Sequence, residues 1–327
     1  MKKTLLLLLP LILILIFPVL VKDSYFLNLG ILVLYYTFLS QAWNILSGYS
    51  GQFSFGHAAF FGTGAYASTI LLTGYGVSPW IGMFVGAFVS TLIGLFIGYL
   101  TFRYKLRGAY FALSTLAFAE ILRIAVQNSD FFKKTMGIMI PLKQDPWMFQ
   151  FESASSYYYT ILIFAGFSIW LVYRIGRSRL GFNLAAIREN EDAARSLGVN
   201  IYKNKMIAMG LSAGLTALGG SFYAQYILFI DPPTTFGTEV SISILLPVII
   251  GGVGTVLGPL VGSLITIPLG ELTSALFGDF AGVHLMVYGL ILVIVILFLP
   301  EGIVGWFQDR ARKKEAGMNN GILKERG

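Results

Sequence analysis

Few side chains in this chain of 327 residues could do covalent or metal chemistry. The two histidines are His57 and His284, cysteine is absent, and neither an H-E-x-x-H run nor clustered carboxylates accompany either imidazole. A protein-held metal needs several such ligands within reach of one another, so no metal site is expected. The lack of cysteine excludes a disulfide framework and thiol catalysis. The run GGVGTVLGP, Gly251–Pro259, has the glycines of a phosphate-binding loop. It has neither the Lys nor the Ser/Thr in place that such a loop uses on phosphates and magnesium. An intramembrane enzyme therefore has no constellation to stand on.

The residues that remain suit passage better than bond making. Ser47–Tyr66, SGYSGQFSFGHAAFFGTGAY, packs Gly48, Gly51, Gly56, Gly62 and Gly64 around Gln52, Ser54 and His57. Glycine interrupts helices, and polar side chains at membrane depth need partners or water. Two readings fit these residue types equally. One is a broken helix whose free backbone groups line a transport pathway. The other is a tight turn followed by a glycine-packed helix. His57 is expected as a hydrogen-bonded helix-start residue that orders the stretch; nothing else favours pairing it with His284 in a pore. Glu239 and Glu271 are read as rim residues, and Glu120 with Arg123 as a paired or snorkelling charge.

A second polar stretch, 174–205, lies between long apolar segments. Arg174, Arg177, Arg179, Arg188, Arg195, Lys203 and Lys205 outnumber Glu189, Glu191 and Asp192. Positive charge beside membrane spans stays in the cytosol, so this loop is expected there. Leu184, Ile187, Ala194 and Leu197 predict one amphipathic helix over Asn183–Leu197, bracketed by Gly181 and Gly198. Glu191 stands three residues after Arg188 and four before Arg195, where opposite charges meet on a helix. Such a helix is either a handle for another protein or an ordinary solvated loop helix; charge alone favours the second.

The elements around these stretches are membrane spans. The chain is 56% apolar and 12% charged, against about 25% charged in soluble domains. It is expected to be an all-α, polytopic integral membrane protein with eight to ten transmembrane helices. Candidate spans are Thr4–Val21, Tyr25–Leu46, His57–Thr73, Pro79–Thr101, Gly108–Val126, Tyr157–Tyr173, Met206–Ile230, Val240–Val256, Leu260–Phe277 and Phe280–Leu299. The first run lacks a small-x-small cleavage site and is read as a retained span. With ten spans, eighteen of the 23 Lys and Arg fall on the cytosolic side with both termini. Lys133, Lys134 and Lys143, in the long outer loop Gln127–Ser156, run against that pattern. The net charge of +7 is explained by topology, and no nucleic-acid partner is expected. The organisation is a transmembrane domain over 1–305 and a basic cytosolic tail over 306–327. Small-xxx-small pairs at Gly82/Gly86, Gly94/Gly98, Gly210/Gly214 and Gly258/Gly262 allow close helix packing.

These stretches carry a family resemblance. Asp192-Ala193-Ala194, three residues and Gly198 resemble the docking loop of ABC-importer permeases, with Asp in place of Glu. The wider AAIRENEDAARSLGVN, the run GYSGQFSFGHAAF at Gly48–Phe60, RGAYFALSTLAFAEILR at Arg107–Arg123 and IGGVGTVLGPLVG at Ile250–Gly262 resemble branched-chain amino acid permeases of the LivM type. The resemblance runs from about residue 40 to 305. It implies a non-enzymatic permease subunit of the cell inner membrane. Its partners would be two ABC ATPase subunits, a second related permease and an extracytoplasmic solute-binding protein. ATP and Mg would be bound by the partners and no cofactor by this chain.

On that basis Arg188, Glu189, Asn190, Glu191, Asp192, Ala193, Ala194 and Gly198 are expected to couple to the ATPase. Gly48, Gly51, Gln52, Ser54, Gly56, His57, Gly251, Gly252 and Gly254 are expected along the substrate pathway. The permeant would be an amino acid, Leu, Ile or Val. The alternative is a secondary transporter or channel for a small polar solute such as urea or an amide. It would need midplane carboxylates for ion coupling, and convincing ones are missing.

Overall fold

The computed structural model describes residues 14–21, 23–143, 145–277, 283–299, 302–306 and 310. Residues 14–20 are helical (α1). Then come α2 (Ser24–Trp43), α3 (His57–Tyr75), α4 (Pro79–Arg103), α5 (Gly108–Asn128) and α6 (Ala154–Gly176). Two short helices follow, α7 (Arg179–Glu189) and α8 (Glu191–Ser196), and then the 27-residue α9 (Ile201–Ile227). The chain continues through α10 (Pro232–Phe236), α11 (Thr238–Gly251), α12 (Gly258–Phe277) and α13 (Val283–Phe298). Sheet among the described residues is one antiparallel pair, β1 (Ile138–Met139) with β2 (Phe229–Ile230). The protein is all-α.

Seven described segments are long and apolar enough to cross a membrane: α2 with its extension to Gly48, α4, α5, α6, α9, α10 together with α11, and α12. The chain is a multi-pass membrane protein. At nineteen residues α3 is roughly 28 Å long and packs inside the bundle, against α4 and α9. The span expected at Thr4–Val21 lies mostly outside the described residues, that at Phe280–Leu299 in part, and the basic tail after Arg310 wholly. Val240–Val256 needs correction. The crossing is Pro232–Gly251, broken where Gly237 is extended, because the fourteen residues of α11 reach only about 21 Å of a ~30 Å core.

Small residues set the packing. A Cβ on Gly64 of α3 would meet the Ala217 carbonyl of α9 at 2.0 Å, and one on Gly220 would meet the Phe61 carbonyl at 2.0 Å. These helices therefore touch backbone to backbone, the closest approach two helices can make. Gly86 of α4 lies over Gly64 and Gly94 over Ala213, so the predicted pairs of α4 and α9 serve the α3–α4–α9 contact, while Gly258 and Gly262 pack against the end of α11. Of the α2 span, 78% is buried, against 22% of the α12 span, which places α2 on the inside. Phe84, Phe88 and Phe96 of α4, Leu113 and Ile121 of α5, and Ile163 and Phe167 of α6 face outward. Lipid accommodates such a surface and water does not.

The loop Tyr104–Arg107, the pair α7–α8 and the start of α9 meet at one end of the bundle, called the basic end below.

Candidate functional site

The site begins where α2 fails to end cleanly. Asn44–Gly48 winds as a π-helical turn, a local overwidening that frequently marks functional positions. The Asn44 amide uses both its ends on the turn after α11: Nδ2 donates to the Thr255 carbonyl at 2.8 Å, and Oδ1 accepts from the Gly254 amide at 2.8 Å. Gln41 donates to the Val256 carbonyl at 2.6 Å. The two glycine-rich stretches are thus joined. Gly254 sits at φ +76°, where a Cβ would lie 2.3 Å from Nη1 of Arg188, so only glycine fits.

From Gly51 to Gly56 the chain is not helical. Some of its backbone groups find side-chain partners: Trp43 Nε1 donates to the Ser54 carbonyl at 2.8 Å, and the Phe55 amide donates to Thr115 Oγ1 at 3.1 Å. Helix α3 then starts at His57 without a side-chain cap, and its Ala58 amide donates to Ser241 Oγ at 2.9 Å. His57 is fully buried, with Nε2 at 2.8 Å from Ser212 Oγ. That hydroxyl already donates its one proton to the Ala42 carbonyl, so Nε2 is the donor to it. Ser212 lies eleven residues into α9, roughly 16 Å along it. Helix α3 therefore starts in the interior of the bundle, as a broken span does.

The polar loop closes this region at the basic end. Ser178 caps α7, and Asn190, extended at φ −160°, ends it and caps α8 by accepting from the amides of Asp192 and Ala193. Arg188, in the last turn of α7, donates to the Gly48 carbonyl at 3.0 Å and covers Gly51, which is held at φ +69°. Glu191, the first residue of α8, pairs with Arg107 Nε at 3.0 Å and with Lys205, and accepts from Gln52 Nε2 at 3.4 Å. Asp192 bonds both Arg107 and Arg195 at 3.3 Å. The hydrogen-bonded Arg107 guanidinium holds the Asp192 carboxyl below its ordinary value.

The family described as branched-chain amino acid transport system / permease component matches residues 25–296. The chain belongs to that family. It is 26% identical to the high-affinity branched-chain amino acid transport permease LivM of Salmonella typhimurium over 88% of this chain and 72% of the relative. It is 25% identical to its Escherichia coli counterpart over the same shares. A probable LivH permease of Methanocaldococcus jannaschii is 24% identical over 74% of this chain and 79% of its own length. No solved structure matches. The chain is a transport permease subunit.

In this permease the residues expected in two separate roles form one assembly. Gly48, Gly51, Gln52 and Gly254 lie against the α7–α8 pair through Arg188 and Glu191, while Ser54, Gly56 and His57 continue into the bundle. Gly251 and Gly252 end α11, where a Gly251 Cβ would lie 1.7 Å from the Gly258 carbonyl. Glu189 is exposed beside Arg188, Ala193 is exposed, Ala194 is buried, and Gly198 follows α8 with open space around it.

The single helix expected over Asn183–Leu197 is corrected to two helices broken at Asn190, with Gly181 inside α7. The break separates Glu191 from Arg188, and within α8 Arg195 pairs with Asp192, so Glu191 pairs with Arg107 and Lys205 in place of the two expected helical partners. Leu184, Ile187 and Ala194 are buried as expected, but Leu197 is 82% exposed. Sequence reasoning passed over Asn44, Arg107, Lys205 and Ser212. Asn44, a lone amide before a glycine-rich run, was a usable signal; the two cations were read only as markers of topology. The Glu120–Arg123 pair forms as expected, and Glu239 is exposed.

Proposed function

We propose that this permease is the membrane subunit of an ATP-driven importer of branched-chain amino acids, with Leu, Ile or Val as permeant. In this reading α7–α8 faces the cytosol with both termini, in the plasma (cell inner) membrane. The pair docks one of two ABC ATPase subunits, which bind the ATP and Mg. A second related permease completes the conduit, and an extracytoplasmic binding protein delivers the solute.

The observation that carries the reading is the double tie of α7–α8 to the glycine-rich stretch: Arg188 to Gly48, and Glu191 to Gln52. A pull on α8 would reach Gly51–Gly56 without an intervening flexible link. That segment leads to the buried start of α3 at His57, and Gly251, Gly252 and Gly254 form the opposing wall. Backbone dipoles at such a broken helix can meet both charges of a zwitterion, so no buried side-chain ion is needed.

The test uses the full complex. Asp192→Lys, at an exposed position, should cut co-purification of the ATPase and ATP-driven uptake at least about tenfold while the chain stays in the membrane. Full retention of the ATPase by this variant would remove the docking role.

A further inference from the structure

Beside the candidate site, between the last turn of α4 and the first turn of α9, lies a cavity of about 400 Å³. Its lining includes Arg103, Lys105, Arg195 and Lys205, with Glu191 as the only acidic residue. Glu191 is already shared by Lys205 and Arg107, and Arg195 faces Asp192. Arg103 and Lys105 form no ion pair among the described residues. The cavity therefore carries uncompensated positive charge. Its remaining walls are Phe102, Leu106, Val199 and Ile201 with the polar Asn200 and Tyr202.

We infer that this cavity holds the phosphate of an anionic phospholipid headgroup. Phosphate matches a site of arginine and lysine donors, and basic pockets between helices at a membrane surface take anionic headgroups. A lipid, rather than free phosphate, is the source for two reasons. The cavity is lined by Phe102 and Arg103 at the end of α4, a helix whose Phe96 and Tyr99 are exposed. Tyr202 lines the cavity, and Tyr99 and Tyr104, near the lining Arg103 in the chain, are likewise exposed aromatics, the residues enriched where membrane meets water. Arg103 reaches back over the Tyr99 ring at 5.5 Å, keeping its guanidinium at that boundary. Because Lys205 lines the cavity and also anchors Glu191, the headgroup sits directly behind the tie that holds α8. The inference needs only a membrane around the bundle; it stands whether or not α7–α8 docks an ATPase.

The experiment is native mass spectrometry of the purified full chain in detergent with equimolar phosphatidylglycerol and phosphatidylcholine. The intact chain should retain phosphatidylglycerol on the order of tenfold better. The double variant Arg103→Gln/Lys105→Gln, altered only at exposed side chains, should lose that preference while its melting temperature is unchanged. Equal retention of the two lipids, or a preference that survives in the double variant, overturns the site. Binding of inorganic phosphate by the intact chain without any lipid preference overturns the lipid as its occupant.

Discussion

Arg188 donates to the carbonyl of Gly48 across 140 residues of sequence, and the same guanidinium borders Gly254. One side chain from α7 thus touches both glycine-rich stretches at once. Arg188→Ala should lower ATP-driven uptake about tenfold or more, because a charge-assisted bond carries roughly 1.5–3 kcal/mol. The ATPase should still co-purify, since the exposed face of α8 is unaltered, and Arg188→Lys should give intermediate uptake. Uptake assays in vesicles beside pull-downs of the complex separate these outcomes. Parallel loss of both would make Arg188 part of the docking face instead.

Glu191 and Lys205 form the buried ion pair of the site, with side chains 11% and 4% exposed. Removing one partner leaves a buried charge without compensation, at about 3–5 kcal/mol. Glu191→Gln should therefore destabilise the folded chain more than Glu189→Gln, whose carboxylate is exposed. Adding Lys205→Met to Glu191→Gln should recover much of the loss, because the orphaned ammonium is gone. Thermal unfolding of the wild type, Glu191→Gln, Lys205→Met and the double variant in one detergent measures this coupling; additive losses would show that the pair does not act as a unit.

The fold was legible wherever composition and period dominate. Long apolar runs between short basic loops announced a polytopic helical protein, and the glycine pairs of α4 pack where their spacing placed them. The site was legible only in outline. Its two stretches could be named separately, but their meeting depends on Asn44 bonding Gly254 and on Arg188 reaching Gly48, contacts set by tertiary packing. The break at Asn190 was hidden because apolar residues kept helical spacing through it. An asparagine followed by two acidic residues is also a helix-start signal, and it won.

Asp192 gives the pH dependence of the loop. Its carboxyl is held below the ordinary aspartate value by the Arg107 hydrogen bond. A depressed carboxylate contributes fully above its unfolded pKa, and the contribution is lost only as pH falls through the lower, folded value. Between pH 5 and 8 the Arg107–Asp192 contact should therefore not change. ATPase retention by the complex should be flat over that window as far as this contact governs it, and Asp192→Asn should lower it by the same factor throughout. A ratio of wild type to Asp192→Asn that climbs steeply from pH 5 to 7 would contradict this.

The turn between α11 and α12 makes the sharpest steric prediction. A Cβ on Gly251 would lie 1.7 Å from the Gly258 carbonyl, and one on Gly262 would lie 1.7 Å from the Pro247 carbonyl. Both obstacles are backbone, so no side-chain rotation relieves them. Gly251→Ala and Gly262→Ala should each destabilise the protein by about 1–3 kcal/mol, the usual range for overpacking. Gly166→Ala on α6 meets nothing within 4 Å, and it should be neutral or slightly stabilising as a helix-interior Gly-to-Ala change. Melting temperatures in one detergent test the contrast. Gly251→Ala should also spread the turn that carries Gly254 away from Asn44, lowering uptake beyond what its loss of folded protein explains. Uptake per folded molecule equal to wild type would separate the α11–α12 contact from transport.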